Sequence, residues 1–78
     1  MTMKIPEETM RLAILLSKPI DDLRLSHRTW NALMRWGIRT VGDLCEAREK
    51  GVLPKIRNLG SKSLYEIEHA IDSFLGEV

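Results

Sequence analysis

One cysteine, Cys45, is all that 78 residues contain. An internal disulfide is therefore excluded, and so is a zinc knuckle, which needs several thiolates at close spacing. A reducing compartment suits such a sequence. Charge of one sign is also missing: 12 Lys and Arg stand against 11 Asp and Glu, a formal net charge of +1. Without a general basic coat, any polyanion site has to come from local placement of charge. Long apolar runs are lacking. The longest, Leu12 to Leu16, falls far short of the roughly 20 residues a membrane helix needs. Glu7, Glu8 and Arg11 interrupt the start of the chain, so no secretory signal is expected. Alternation of apolar and polar residues is absent over any useful length, which speaks against strands.

What is present is ordinary for a globular domain: 44% apolar and 29% charged residues, too apolar for disorder. The length suits a single small domain whose net stability is a few kcal/mol, about what one core of this size supplies.

Helical periodicity accounts for most of the sequence. Residues 6–17 read as a first helix, with Pro6 in its first turn and Glu7 and Glu8 at the positive end of its dipole. Met10, Ala13, Ile14 and Leu16 fall on one side of it, a face suited to the core or to a second copy of the chain. Lys18-Pro19 ends it, since a residue before proline avoids helical angles. Asp21 to Leu25 reads as a short extended or turn-like arm, anchored by Ile20, Leu23 and Leu25. Ser26 is an N-cap for a helix from His27 to Trp36, and Gly37 supplies the left-handed backbone that closes it. Thr40 and Asp43 form a capping-box pattern that starts a helix running to about Lys50. Val52 to Ile56, with Pro54 inside, holds at most a short irregular turn. From Ser61 onward, Leu64, Ile67, Ile71, Phe74 and Leu75 recur at helical spacing, with Lys62, Glu66, His69 and Ser73 on a polar side. The expected fold is all-α, a compact bundle of four to five short helices. A helical extension over 1–18 precedes a domain over 19–78.

An internal echo connects these elements. Ile38-Arg39-Thr40-Val41-Gly42 returns as Ile56-Arg57-Asn58-Leu59-Gly60. Each copy reads as a tight helix-to-helix hairpin, its aliphatic pair plugging the gap between helices and its glycine letting the backbone turn closely. Two such hairpins packed together make a helix-hairpin-helix unit.

Two groups of residues could do chemistry. Asn58-Leu59-Gly60-Ser61-Lys62-Ser63 lies where a helix begins, so several backbone amides lack intrahelical partners. Free amides and the helix dipole attract phosphate, Gly60 lets it approach, and Lys62 with Ser61 or Ser63 adds donors. The blander reading is a simple cap, with Ser63 and Glu66 as a capping box. Separately, Arg28, Asn31 and Arg35 share one face of the helix from His27. A guanidinium can enter a narrow minor groove and an amide can meet sugar or phosphate. The alternative is a solvated polar face, and the nucleic-acid reading requires both groups on one side of the fold. His27 and His69 have no cysteine or acid at ligand spacing, so no metal site is expected. Cys45 reads as a small core or half-exposed thiol without a base to activate it. Trp36 reads as either core or an exposed contact.

Taken together, Pro19-Ile20-Asp21-Asp22-Leu23, Leu25-Ser26, Arg28, Asn31, Leu33, Gly42-Asp43-Leu44 and Asn58-Leu59-Gly60-Ser61-Lys62-Ser63-Leu64 with Glu66-Ile67 resemble one family. It is the C-terminal domain of the bacterial RNA polymerase alpha subunit, and the resemblance covers residues 14 to 75. It implies a compact helical fold with helix-hairpin-helix elements and binding to the minor groove of A·T-rich DNA upstream of promoters. Its contact residues fall on Arg28, entering the groove, on Asn31 beside it, and on Asn58, Gly60, Lys62, Ser63 and Glu66 around the backbone. Glu66, an acid, is expected to orient neighbouring donors. The arm with Asp21, Asp22 and Arg24 matches a region that meets sigma factor or activators in the family. Arg24 stands where the family usually has an acid, which bears against carrying those contacts over unchanged. Glu49 to Lys55 runs one residue longer than usual. The short tail after Leu75 is lacking and the sequence begins at Met1, which suggests an excised piece or a stand-alone relative.

The resemblance thus implies a non-catalytic DNA-binding module acting in transcription, cytoplasmic and nucleoid-associated, with no cofactor and no membrane. Double-stranded DNA is the expected partner, with RNA polymerase, sigma factor or activators beside it, and a homodimer if the first helix docks between copies. The alternative is a protein-interaction module that kept the fold and binds polymerase, sigma factor or a regulator. An enzyme using such hairpins, a DNA glycosylase for example, has too few residues here for a pocket and its supporting shell.

Overall fold

The computed structural model describes residues 4–76. The termini of the expected 1–18 and 19–78 division lie outside that range. Four α-helices follow in order: α1 (Glu7–Leu16), α2 (His27–Trp36), α3 (Val41–Glu49) and α4 (Ser61–Gly76). Single 3-10 turns at Ile20–Leu23 and Leu53–Lys55 fill the arm and the Pro54 segment. No strand forms among the described residues. An isolated bridge pairs Pro19 with Thr40.

The starts of α2 and α3 have a local cause. Ser26 caps α2 by accepting from the Thr29 amide. At α3 the Thr40 hydroxyl accepts from the Asp43 amide while the Asp43 carboxylate accepts from the Thr40 amide, the reciprocal box that the spacing predicts. Gly37 closes α2 with φ of 91°, and the Ile38 amide returns to the Leu33 carbonyl at 3.0 Å. Tying off the backbone there drops Ile38 into the core.

Ile20, Leu33, Val41, Leu44, Ile67 and Ile71 are fully buried and form the centre, with Leu23, Ile38, Leu53, Ile56 and Leu59 around them. The arm, both echoed segments and three helices thus share one core. Truncating a residue such as Leu33 to alanine costs about 2–5 kcal/mol at a site of this kind. Helix α1 is the exception. None of its residues is buried, and Met10 and Ile14 are more than half exposed. Only its last turn engages, where Leu16 packs against the core and its carbonyl lies against Gly42. Beyond it, the Ile20 amide reaches the Arg39 carbonyl and the Val41 amide reaches that of Lys18, both at 2.9 Å. The stretch from Leu16 to Ile20 therefore lies over the first echoed segment and covers it.

The two echoed segments meet their helices in different register. Helix α3 begins at Val41, so Gly42 sits inside its first turn. Helix α4 begins at Ser61, with the Gly60 carbonyl accepting its first helical bond from the Leu64 amide at 3.0 Å. The expectation that each glycine makes the turn is corrected. In the second copy Asn58 takes the left-handed backbone, with φ of 72°, whereas its counterpart Thr40 is extended. Asparagine is one of the few residues that enters this region at modest cost. Gly42 serves close approach instead: a Cβ there would stand 3.0 Å from the Leu16 carbonyl oxygen, while one on Gly60 would meet nothing.

Candidate nucleic-acid interface

The start of α2 and the start of α4 lie side by side, fastened by a series of side-chain hydrogen bonds. The Ser26 amide donates to one Glu66 carboxylate oxygen at 3.2 Å and the Ser26 hydroxyl to the other at 3.1 Å. One turn nearer the start of α4, the Thr29 hydroxyl donates to the Ser63 hydroxyl oxygen at 3.1 Å. Thr29 is itself buried to 1% exposure, and the contact is part-buried. The local Ser63–Glu66 capping box is therefore not what forms. Glu66 serves the N-cap of α2 across the fold, because the first turn of that helix, His27-Arg28-Thr29, contains no acid of its own.

Arg28 consequently sits between two open grooves. It shares one with His27, Asn31, Ala32, Arg35 and Asn58. The other it shares with Ser26, Thr29, Lys62, Ser63 and Glu66. The arginine face of α2 and the amide-rich start of α4 are thus one continuous edge. Arg28, Asn31, Arg35, Asn58, Gly60 and Lys62 are all exposed along it. Ion pairs among the described residues are Glu7–Arg11, Arg48–Glu68 and Glu46–Lys50. None of them neutralises Arg28, Arg35 or Lys62.

Of the serines, Ser63 is turned toward Thr29 and half-buried, whereas Ser61 is exposed. At the start of α4, the amides of Gly60, Ser61, Lys62 and Ser63 meet no acceptor among the described residues. The helix dipole points its positive end out through these four groups. A Cβ on Gly60 would meet nothing, and Ser61 and Lys62 beside it are exposed, a set of groups whose chemistry suits an oxyanion. At α3 three of the four equivalent amides, those of Thr40, Val41 and Asp43, are taken by the Asp43 carboxylate, the Lys18 carbonyl and the Thr40 hydroxyl. The Asp43 carboxylate accepts from the amides of both Arg39 and Thr40 at 3.2 Å, and these bonds hold its pKa below the usual carboxylate value.

The arm residues are placed elsewhere. Asp22 and Arg24 line a groove against His69, Ala70, Ser73 and Phe74 of α4. Arg24 is in the left-handed region, with φ of 56°. Asp21 instead faces α2, where its carboxylate accepts the Trp30 indole N–H at 2.8 Å. Trp36 is 53% exposed beside Gly37, so it is not a core residue. Cys45 is half-buried, and desolvation pushes its thiol pKa up, away from nucleophile chemistry. No group of three or more His, Cys, Asp or Glu residues able to hold a metal occurs among the described residues, nor any helix long and apolar enough to cross a membrane.

Sequence reasoning missed Ser26 and Thr29 as the fastening between helices. A signal existed: a helix start with no acid in its first turn, and an acid on α4 in need of a donor. The Asp21–Trp30 bond had no comparable signal, because it is a tertiary contact between exposed polar groups.

Comparison with known proteins agrees with this architecture. The family described as the C-terminal domain of the bacterial RNA polymerase alpha chain matches residues 7–73. Proteins named DNA-directed RNA polymerase subunit alpha are similar over most of the sequence. That of Salinibacter ruber is 42% identical over 69 residues, covering 88% of this chain and 21% of the relative. Those of Carboxydothermus hydrogenoformans and Clostridium botulinum are 48% identical over 59 residues and 40% over 73, covering 76% and 94% of this chain, though 18% and 23% of the relatives. The protein thus spans about a fifth of the length of these relatives. With a family match over nearly the whole sequence and a single helical core beneath it, this protein belongs to the family of C-terminal domains of the bacterial RNA polymerase alpha subunit.

Proposed function

We propose that this protein is a non-catalytic DNA-binding module of transcription. It contacts the minor groove and backbone of A·T-rich promoter DNA, as an RNA polymerase alpha C-terminal domain or a stand-alone relative. The observation that carries the reading is the shared edge of α2 and α4, where Arg28 and Lys62, in no ion pair among the described residues, lie beside amides that meet no acceptor among those residues. Arg28 enters the minor groove with Asn31 at its side, because a guanidinium is drawn to the negative potential of a narrow A·T-rich groove. Asn58, Gly60, Lys62 and Ser61 take one flanking phosphate, which positions the domain without reading sequence. Ser63 and Glu66 act through position, joining the two helices. Each Glu66 oxygen accepts one bond from Ser26, which fixes the carboxylate against the start of α2.

Affinity is expected to be low and salt-sensitive, since each neutralised phosphate contributes a slope of about −0.9 in log K against log salt. The test is a salt titration with A·T-rich and G·C-rich duplexes, using the protein and its Arg28→Ala and Lys62→Ala variants. Both variants should weaken binding, Arg28→Ala also erasing the preference for A·T and Lys62→Ala lowering both duplexes alike. Folded variants that bind as the parent does would overturn the reading.

A second reading is favoured by specific surfaces. Trp36, Met10 and Ile14 are each more than half exposed, and Arg24 occupies an open groove free of any ion pair among the described residues. These suit a protein-interaction module that binds polymerase, sigma factor or a regulator. Pull-down with polymerase that survives Arg28→Ala but not Arg24→Glu or Trp36→Ala would favour it.

A further inference from the structure

His27 is the first residue of α2 and is exposed on the rim of the groove that holds Arg28, Asn31, Arg35 and Asn58. Its ring lies nearly parallel to that of Trp30, 16° between planes with centroids 5.9 Å apart. Trp30 is in turn held from the other side, its indole N–H bonded to Asp21 of the arm. A surface histidine ordinarily samples several rotamers, and ordering it for a contact costs entropy. Here a stacked indole, itself anchored, holds the ring in place beforehand.

We propose that His27 is a further DNA contact, its imidazolium taking a backbone phosphate next to the one held at α4, so that DNA binding is linked to proton uptake. The inference rests on the DNA-binding reading above and adds a residue and a pH dependence to it. The charged groups around the ring are Arg28 and Arg35 on α2 and, through Trp30, Asp21 on the arm; Asn58 faces it from the turn before α4 and is neutral. No carboxylate is among the described residues that line that groove, which leaves its cationic side chains open to a phosphate. A phosphate at the ring favours the charged form of histidine, the side chain whose charge ordinarily changes between about pH 5 and 8. Uptake of a proton with the phosphate makes binding stronger at lower pH.

Two histidines occur in the sequence. The other, His69, lies in the groove with Asp22 and Arg24 and is hydrogen-bonded to Tyr65, so His69→Gln serves as a control for general titration. Affinity for an A·T-rich duplex is measured by anisotropy across a salt series at about pH 6 and about pH 8, each variant checked for helicity, the difference for the parent being roughly threefold to tenfold for one phosphate contact. His27→Ala is expected to remove this difference and to make the salt slope shallower by about 0.9 at the lower pH only. His27→Lys should bind tightly at both pH values and lose the pH dependence. Trp30→Leu, which leaves the histidine but frees its ring, should reduce the pH effect without abolishing it. His69→Gln should behave as the parent.

A His27→Ala protein that keeps the full pH dependence and the parent salt slope overturns the proposal. If Arg28→Ala weakens binding at both pH values in that same series, the DNA-binding reading stands and this contact alone falls. If Arg28→Ala is also without effect, both fall together.

Discussion

The segments Ile38–Gly42 and Ile56–Gly60 are near copies in sequence, yet one is closed and the other open. In the first, the helix starts at the fourth residue of the copy, and the acid that follows the glycine, Asp43, folds back onto the amides of Arg39 and Thr40. The stretch from Leu16 to Ile20 then lies across it. In the second, the helix starts after the glycine, and the position equivalent to Asp43 holds Ser61, which carries no charge to spend on its neighbours. A helix start that supplies its own anion has no electrostatic use for another. One that lacks an anion stays available to a phosphate from outside. The acid or serine at this position is one of the differences that separate a structural turn from a candidate binding turn.

The comparison can be broken most severely at the glycines. Gly42→Val places a branched side chain where the Leu16 carbonyl already stands at 3.0 Å. Overpacking of this kind costs about 1–3 kcal/mol, read from the urea midpoint, with the end of α1 displaced. DNA affinity of the folded protein should hardly change. The corresponding Gly60→Val meets open space, so it should cost less stability and more affinity. Equal stability losses at the two positions would show that the register difference is without consequence.

Next in size is Glu66→Gln. It leaves one acceptor oxygen where Ser26 has two donors, the second now facing an amide NH2 that cannot accept, and loss of the charge-assisted pair should cost about 1–2 kcal/mol. Affinity should fall with it although a negative charge has been taken from a DNA-facing edge. A rise in affinity would mean that Glu66 acts by repulsion rather than by positioning. Thr40→Ala tests the closed turn alone: loss of an N-cap costs about 1 kcal/mol, with DNA binding unchanged. Acid sharpens the same point. Because its amide bonds depress the Asp43 pKa in the folded state, the stabilisation is complete above about pH 4, the unfolded value, and is lost as pH falls through the lower folded value. Asp43→Asn should lower stability near neutrality and flatten that acid limb of the denaturation profile. The smallest change is expected from Asn58→Gly, which eases the left-handed backbone and should alter stability by only a few tenths of a kcal/mol while still weakening DNA binding. That variant separates the conformational role of Asn58 from its contact role.

Much of this was legible in the residues because it is local. Ser26, Gly37 and the Thr40–Asp43 box are short-range devices whose effect does not depend on the rest of the fold, and they set the helix limits within a residue. The periodic stripe of α4 is equally local, and Ile67 and Ile71 are its buried line. The juxtaposition of Arg28 with Lys62 was legible only as a requirement, since nothing in either segment dictates the angle between two helices. What fixes it is the pairing of Ser26 and Thr29 with Glu66 and Ser63, 40 and 34 residues away in sequence. The register shift between the echoed segments was hidden for a similar reason. Near identity of residues suggested identity of conformation, while the deciding differences were single substitutions, Thr40 against Asn58 and Asp43 against Ser61.

The clasp between Ser26 and Glu66 has a consequence for how this domain could be monitored in solution. The same main-chain hydrogen that holds the two helices together also registers when they part, so its exchange with heavy water counts the openings that split the cationic edge in two. Slower exchange at that one amide on adding duplex, with the Thr40 amide as an internal clock for the remote turn, would report engagement without any label.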